Sequence, residues 1–285
     1  MRSVFTVLVF TALVFAIPVA VSAQPAFEVA SVKLHIPNAD EPFGSVDVQP
    51  GGRVVASGAT LRQLVVFAYD LQDFQLASGG PEWVSSTRFD INAKAEDGTF
   101  STTALRQRLK SLLIDRFELR TRAETRTGPV YHLTVASRLG KQLQPSKIDC
   151  TPLFQERAVF DISPVPSDQA PCQPAGKFVF GPAGASMTFV RNGMPMPQLA
   201  RLLMTFVRRP VLDRTGLAGT YDFELTFSPD NAFFATRESG IQAAPQADGM
   251  SISTALREQL GLRLESAEGP VEVLVIERAE LPDPD

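Results

Sequence analysis

Apolar and polar positions alternate over Phe27-Glu28-Val29-Ala30-Ser31-Val32-Lys33, a pattern that predicts a half-buried strand. Ser45-Val46-Asp47-Val48 and Arg53-Val54-Val55-Ala56 predict two more strands around the turn Pro50-Gly51-Gly52. Thr60 then stands as the N-cap of a helix with Leu61, Leu64, Val65 and Ala68 on one face. Gly79-Gly80-Pro81 breaks the chain before a strand over Arg88 to Ala95. Thr102 or Thr103 is expected to cap a second helix, striped by Leu105, Leu109, Leu112 and Leu113. Phe117 to Arg122 and Val130 to Ala136 then predict a hairpin, with Gly128-Pro129 in its turn.

Later segments follow the same plan. Lys177 to Phe180 and Ser186 to Val190 read as strands. Pro197 suits a helical first turn and precedes an apolar face of Leu199, Leu202, Leu203 and Phe206. Thr220 to Phe227 alternates as a strand, Ser253 is the expected cap of a last helix, and two strands finish the chain. The two halves also echo each other in sequence. Ala104-Leu105-Arg106-Gln107, Phe117-Glu118-Leu119-Arg120 and Gly128-Pro129-Val130 correspond to Ala255-Leu256-Arg257-Glu258, Leu262-Arg263-Leu264-Glu265 and Gly269-Pro270-Val271. Arg88-Phe89-Asp90-Ile91 corresponds to Thr220-Tyr221-Asp222-Phe223. Repetition at this scale predicts an α+β fold of two related lobes, each an antiparallel or mixed sheet with helices packed on one face. The expected lobes are 24–144 and 177–285, joined by a connector over 145–176 that carries Pro145, Pro152, Pro164, Pro166, Pro171 and Pro174. Small polar residues, glycine and proline over 228–250 predict a disordered insert in the second lobe.

Residues 1–23 change the picture of compartment. Arg2, the apolar run Val4 to Val21 and the small-x-small site Val21-Ser22-Ala23 predict a signal peptide whose removal leaves Gln24 first. The rival reading is an uncleaved anchor, since the run approaches the roughly 17 residues that a short spanning helix needs. Cleavage implies a periplasmic or secreted protein without stable membrane insertion. A formal net charge of −4 with scattered basic residues excludes a nucleic-acid surface. The two cysteines, Cys150 and Cys172, are expected to form a disulfide in an exported chain. Unpaired thiols are the alternative reading, and the two histidines are not spaced to complete a metal site with them.

Candidate chemistry is sparse. The chain has no His-Glu-x-x-His helix, Gly-x-Ser-x-Gly elbow, phosphate-cradling glycine loop or Cys-x-x-Cys, so no catalytic residue, metal or cofactor is assigned. His132 alternates with Tyr131 and Leu133 on a strand, which points it to the opposite face. His35, beside Pro37 in sequence, reads as incidental. Asp90 and Asp222 recur at matching places and are expected to accept backbone hydrogen bonds at turns; a paired-carboxylate site would require them to meet across a cleft. Trp83, after the Gly79-Gly80-Pro81 turn, either anchors the core or stacks on a ligand. Phe233 and Phe234 are adjacent aromatics in a polar insert, a placement that suits docking on the chain's own domain or on a partner. Trp83, His132, Phe233 and Phe234 are therefore the candidate binding residues.

Several blocks carry a family resemblance. They include Phe27 to Lys33, Gly80-Pro81-Glu82-Trp83, Asp115-Arg116-Phe117, Glu124-Thr125-Arg126, Arg209 to Leu217 and Glu258 to Glu265 with Gly269-Pro270-Val271-Glu272. In these the chain resembles the soil-associated exported proteins of acidobacterial type, a family labelled a domain of unknown function. The resemblance implies an exported bacterial protein of uncharacterised role and carries no catalytic residues. The leading expectation is a non-enzymatic protein that binds an unknown protein partner or a small extracellular ligand. The alternative is a hydrolase of unfamiliar type with a carboxylate or histidine site between the lobes.

Overall fold

The computed structural model describes residues 25–36, 44–49, 51–77, 79–96, 101–156, 165, 167–181, 184–229 and 249–283. The expected signal sequence and most of the expected insert, Phe233 and Phe234 included, lie outside the described residues.

Strands β1 (Val29–Leu34), β2 (Ser45–Gln49), β3 (Arg53–Thr60) and β4 (Arg88–Lys94) form a four-stranded antiparallel sheet in the order β1-β4-β3-β2. Helices α1 (Leu61–Ala68) and α2 (Thr102–Phe117) cover one face. Alternation explains which face: Val32, Val54, Ala56, Phe89 and Ile91 point inward to meet Leu61, Leu64, Leu105, Leu109 and Leu113. Thr60 caps α1 as expected, in a reciprocal capping box with Gln63. The cap of α2 falls one residue early, on Ser101.

The second half repeats this plan. Strands β6 (Leu143–Pro145), β7 (Ala175–Gly181), β8 (Gly184–Pro195) and β10 (Thr220–Phe227) form a second four-stranded sheet in the order β6-β10-β8-β7. Placing β6 with β1, β7 with β2, β8 with β3 and β10 with β4 makes the two strand orders identical. Helix α4 (Met196–Val207) follows β8 as α1 follows β3, and buries Leu199, Leu202, Leu203 and Phe206. The last helix, α5 (Ile252–Ala255), continues as a π-turn over Leu256–Leu260; Ser251 rather than Ser253 caps it, by accepting from Thr254 N. The short helix α3 (Thr151–Glu156) lies in the proline-rich stretch, where Cys150 and Cys172 are joined in a disulfide with Cα atoms 5.5 Å apart.

The expected hairpin over Phe117 to Ala136 does not form. Residues Arg120–Val135 make one continuous strand, β5, and Leu262–Arg278 make another, β11. These pair antiparallel along nearly their whole length, with Gly128 opposite Gly269. The Gly-Pro steps are strand positions because each proline falls where a backbone N–H would point away from the partner strand. Tyr131 N, two residues beyond Pro129, donates outward to Pro210 O at 2.8 Å, and Leu274 O, on the same side as Pro270, accepts from Ala77 N at 2.9 Å. Neither proline removes a bond from the ladder.

Each long strand leaves its own half and ends in the other. Leu119, immediately before β5, belongs to the first core, and Leu133 near its end to the second. Leu262 opens β11 in the second core, and Ile276 closes it in the first. Short segments border the ribbon in equivalent ways. Strand β9 (Val211–Asp213) runs parallel to β5 at Tyr131–Leu133, and Leu76 bridges in parallel to Leu274 of β11.

Candidate functional site

Both sheets carry the same local device. In the first, Ser57 and Gly58 of β3 stand opposite the single residue Asp90; in the second, Asn192 and Gly193 of β8 stand opposite Asp222. Two residues against one is a β-bulge, and each glycine takes the left-handed backbone it requires, with φ of +56° and +60°. The bulge turns the glycine N–H out of the ladder. Asp90 Oδ1 accepts Gly58 N–H at 2.8 Å, and Asp222 Oδ1 accepts Gly193 N–H at 2.8 Å. The recurring aspartates thus satisfy backbone donors that the bulge would otherwise leave unpaired.

The copies differ in what lies above the bulge. His35 covers Gly58, with its Nδ1 2.8 Å from Asp90 Oδ1 and its side chain only 6% exposed. This corrects the reading of His35 as incidental: it shares the bulge carboxylate. In the second copy Cys150 takes that place, its N–H bonded to Gly193 O at 3.0 Å and its sulfur held by the disulfide. A signal was present in the sequence, because the β1 alternation carried beyond Leu34 puts His35 beside β4, where its N–H donates to Arg88 O.

Where the halves meet, Asp70 is the central residue. It follows α1 with φ of +56°, and its carboxylate pairs with Arg106 of α2 at 2.7 Å and with Arg201 of α4. One oxygen therefore serves the first half and the other the second. Arg106 also lies over the Phe67 ring at 5.3 Å, and Lys110 over the Tyr69 ring at 4.6 Å. Tyr69 OH accepts from Thr121 Oγ1 of β5 at 3.2 Å. Burial lowers the affinity of Arg106, Lys110 and Arg201 for their protons, and the neighbouring Arg106 charge lowers Lys110 further. The junction holds more positive than negative charge.

The candidates from sequence are dispersed. Asp90 sits in the first sheet, Asp222 in the second and His132 in the central ribbon, where it pairs in register with Glu265 and Leu212. Trp83 is half-buried against the first core, 6.1 Å from Phe89 edge to face and 6.5 Å from Phe117 in a stacked arrangement. Among the described residues no three His, Cys, Asp or Glu side chains gather as a metal site. An open groove of about 400 Å³ runs between Ala26–Ala30 and the end of α2 at Leu112, Asp115 and Arg116. One residue went unnoticed in the sequence. Met187, Phe189 and Arg191 alternate on the inward face of β8, which carries an arginine into the second core with 1% exposure.

Topology and site together define a duplicated α+β protein whose halves exchange their last strands. The chain belongs to the family described as Protein of unknown function (DUF3738), which residues 62–279 match. No curated protein and no solved structure matches it.

Proposed function

We propose that this is an exported bacterial protein that binds a partner or a small extracellular ligand without chemically changing it. The observation that carries the reading is the placement of the potential catalytic groups. Both recurring carboxylates are engaged by bulge amides, and they stand with His132 in three separate sheets, so a shared substrate has no place where these groups converge. The disulfide supports export, because such bonds persist in oxidising compartments. No helix among the described residues is long and apolar enough to cross a membrane, which agrees with a chain released after loss of residues 1–23. Trp83 and His132 enter this reading as proposed contact residues, since both are half-buried rather than closed off.

The test is to produce the full-length gene product in a Gram-negative host, fractionate the cells gently and examine the extracytoplasmic protein by native mass spectrometry. The expected result is a chain beginning at Gln24 that retains a bound species. Retention inside the cell with Met1 intact would overturn the export reading. Turnover of ester, peptide or glycoside substrates by the purified chain, lost on substituting Asp90, Asp222 or His132, would overturn the binding reading in favour of a hydrolase.

A further inference from the structure

Strand β1 lies at one edge of the first sheet, and its backbone groups alternate in direction. His35 N donates to Arg88 O at 2.9 Å, and the register pairs Lys33 with Asp90, Ser31 with Asn92 and Val29 with Lys94. Odd-numbered residues therefore bond β4, and Ala30 turns its N–H and C=O away from the sheet. Val32, the next outward position, already has a partner. Ala30 is half-buried, and its two outward groups have none among the described residues. It lines the groove of about 400 Å³ whose far wall is α2 at Leu112, Asp115 and Arg116. That is room for a small ligand or a few residues of extended chain.

Neither wall of the groove is repeated in the second half. Strand β6 has only three residues, and its Gln144 stands opposite Asp222 as Lys33 stands opposite Asp90, so no strand residue there matches Ala30. Helix α2 runs for 16 residues, whereas its counterpart, α5 with its π-turn, stops at Leu260. The longer helix supplies a floor beside the β1 edge, and the duplication gives no structural reason for it.

We propose that this groove receives a short extended peptide segment carrying a lysine or arginine, one residue of which pairs with Ala30 as an added strand. This rests on the binding reading above and names the chemistry of the partner. The free N–H and C=O of Ala30 call for a backbone, which supplies one acceptor and one donor at that spacing. Charge calls for a cation. Glu28 and Asp115 line the groove, are exposed, and pair with no cation among the described residues. Asp115 also stands in the last turn of α2, where the helix dipole opposes a negative charge and a bound cation relieves it. Arg116, the cation on the lining, already has a partner. An apolar neighbour completes the segment, because Leu112 and Ala30 border the same space. A second copy of this edge is disfavoured, since it would bring another Glu28 and another Asp115 to an acidic groove.

The experiment uses the full exported chain as wild type, as Ala30→Pro, and as Glu28→Gln with Asp115→Asn. Proline removes the outward N–H of Ala30 and leaves the ladder to β4 intact, a change that an edge strand tolerates. The probes are acetyl-Thr-Lys-Thr-Leu-Thr-amide, which puts lysine and leucine on one face, its lysine-to-glutamate counterpart, and hexylamine. Calorimetry reads affinity in all three chains, and the backbone ¹⁵N–¹H signal of Ala30 reads the site in the wild type. The expected result is saturable binding of the lysine peptide that shifts the Ala30 signal. Its affinity should fall about tenfold in Ala30→Pro and by a similar factor in the double carboxamide variant. Unchanged affinity in Ala30→Pro would overturn strand pairing, and equal binding of the glutamate peptide would overturn the charge argument. Hexylamine binding as tightly as the peptide would overturn the choice of a peptide. An Ala30 signal that shifts only with protein concentration would assign the edge to a second copy instead. If the native chain retains a bound species while the Ala30 signal ignores every probe, the groove fails and the broader binding reading stands.

Discussion

Gly128 lies directly opposite Gly269 in the antiparallel ladder, so equivalent residues of the two copies meet at the middle of the ribbon. Around them the pattern is reciprocal. A Cβ on Gly128 would meet Val271 at 3.4 Å, and one on Gly269 would meet Val130 at 3.0 Å, the two valines being themselves equivalent. The ribbon therefore carries the axis that relates the halves.

The difference between those distances gives a first prediction. Gly128→Ala introduces an ordinary contact and restricts the unfolded chain, so stability should rise or stay within about 0.5 kcal/mol. Gly269→Ala crowds Val130 and should lose about 1 kcal/mol. Urea denaturation of both variants checks the order; equal effects would refute the crowding argument.

The two bulges should respond unequally to alanine. Gly58 and Gly193 share a left-handed backbone, which alone costs a substituted residue roughly 1–2 kcal/mol. At Gly58 the new Cβ would find the His35 ring at 3.3 Å, whereas at Gly193 it would lie 2.8 Å from Cys150 Sγ and 2.9 Å from Ile148 O. Thermal unfolding should rank Gly193→Ala well below Gly58→Ala. The same ranking would be lost if the disulfide end could move aside.

The Cys150–Cys172 bond closes a loop with a sequence separation of 22 residues. The chain-entropy model gives it about 3 kcal/mol. Cys150→Ser with Cys172→Ser should lower the denaturation free energy by that order, with no loss of the first core's near-ultraviolet signal from Trp83. Reducing agent should shift the wild type toward the double variant and leave the variant unchanged.

Asp70→Ala leaves Arg106 and Arg201 facing each other without the carboxylate between them. Arg106, with a side chain 11% exposed, carries most of the cost, and the expected loss is about 1–3 kcal/mol. Because Asp70 links α2 to α4, hydrogen exchange should quicken in both halves. Faster exchange confined to α1 and α2 would show that the link is local.

Burial lowers the pKa of Arg191 from its ordinary value to about 10. A base whose folded value is lowered is more easily protonated when unfolded. The penalty is therefore complete below about pH 10 and eases as pH rises through that value toward the ordinary arginine range. Arg191→Met should accordingly be more stable than the wild type at neutral pH by about 1 kcal/mol. Denaturation curves at rising pH should show the advantage shrinking above about 10.

One-sided burial made much of the fold legible. The stripes of Leu61, Leu64, Val65 and Ala68 and of Leu199, Leu202, Leu203 and Phe206 are helical faces in the structure, because each helix covers a sheet on one side only. The Gly-Pro steps misled for a definable reason. Proline is incompatible with a ladder only where its nitrogen faces a partner, and direction along a strand is invisible until the neighbour is known. The aspartates were legible as structural because both copies repeat them. Asp70 was not, since its partners lie 36 or more residues away in sequence and no local spacing announces them; alternation along β1 places His35 beside β4 but does not name Asp90, 55 residues away, as its partner. Arg191 was legible in principle: alternation through Met187 and Phe189 reaches it in one further step.

The exchange of β5 and β11 has a consequence for dissection. A backbone cut in the proline-rich stretch between α3 and β7, with the Cys150–Cys172 bond reduced, would leave two fragments, each lacking the strand that closes its own core and each carrying the strand that closes the other's. Neither piece should hold its fold in isolation, yet mixing them should restore both, as a clasp closes only when its two interlocking parts are present.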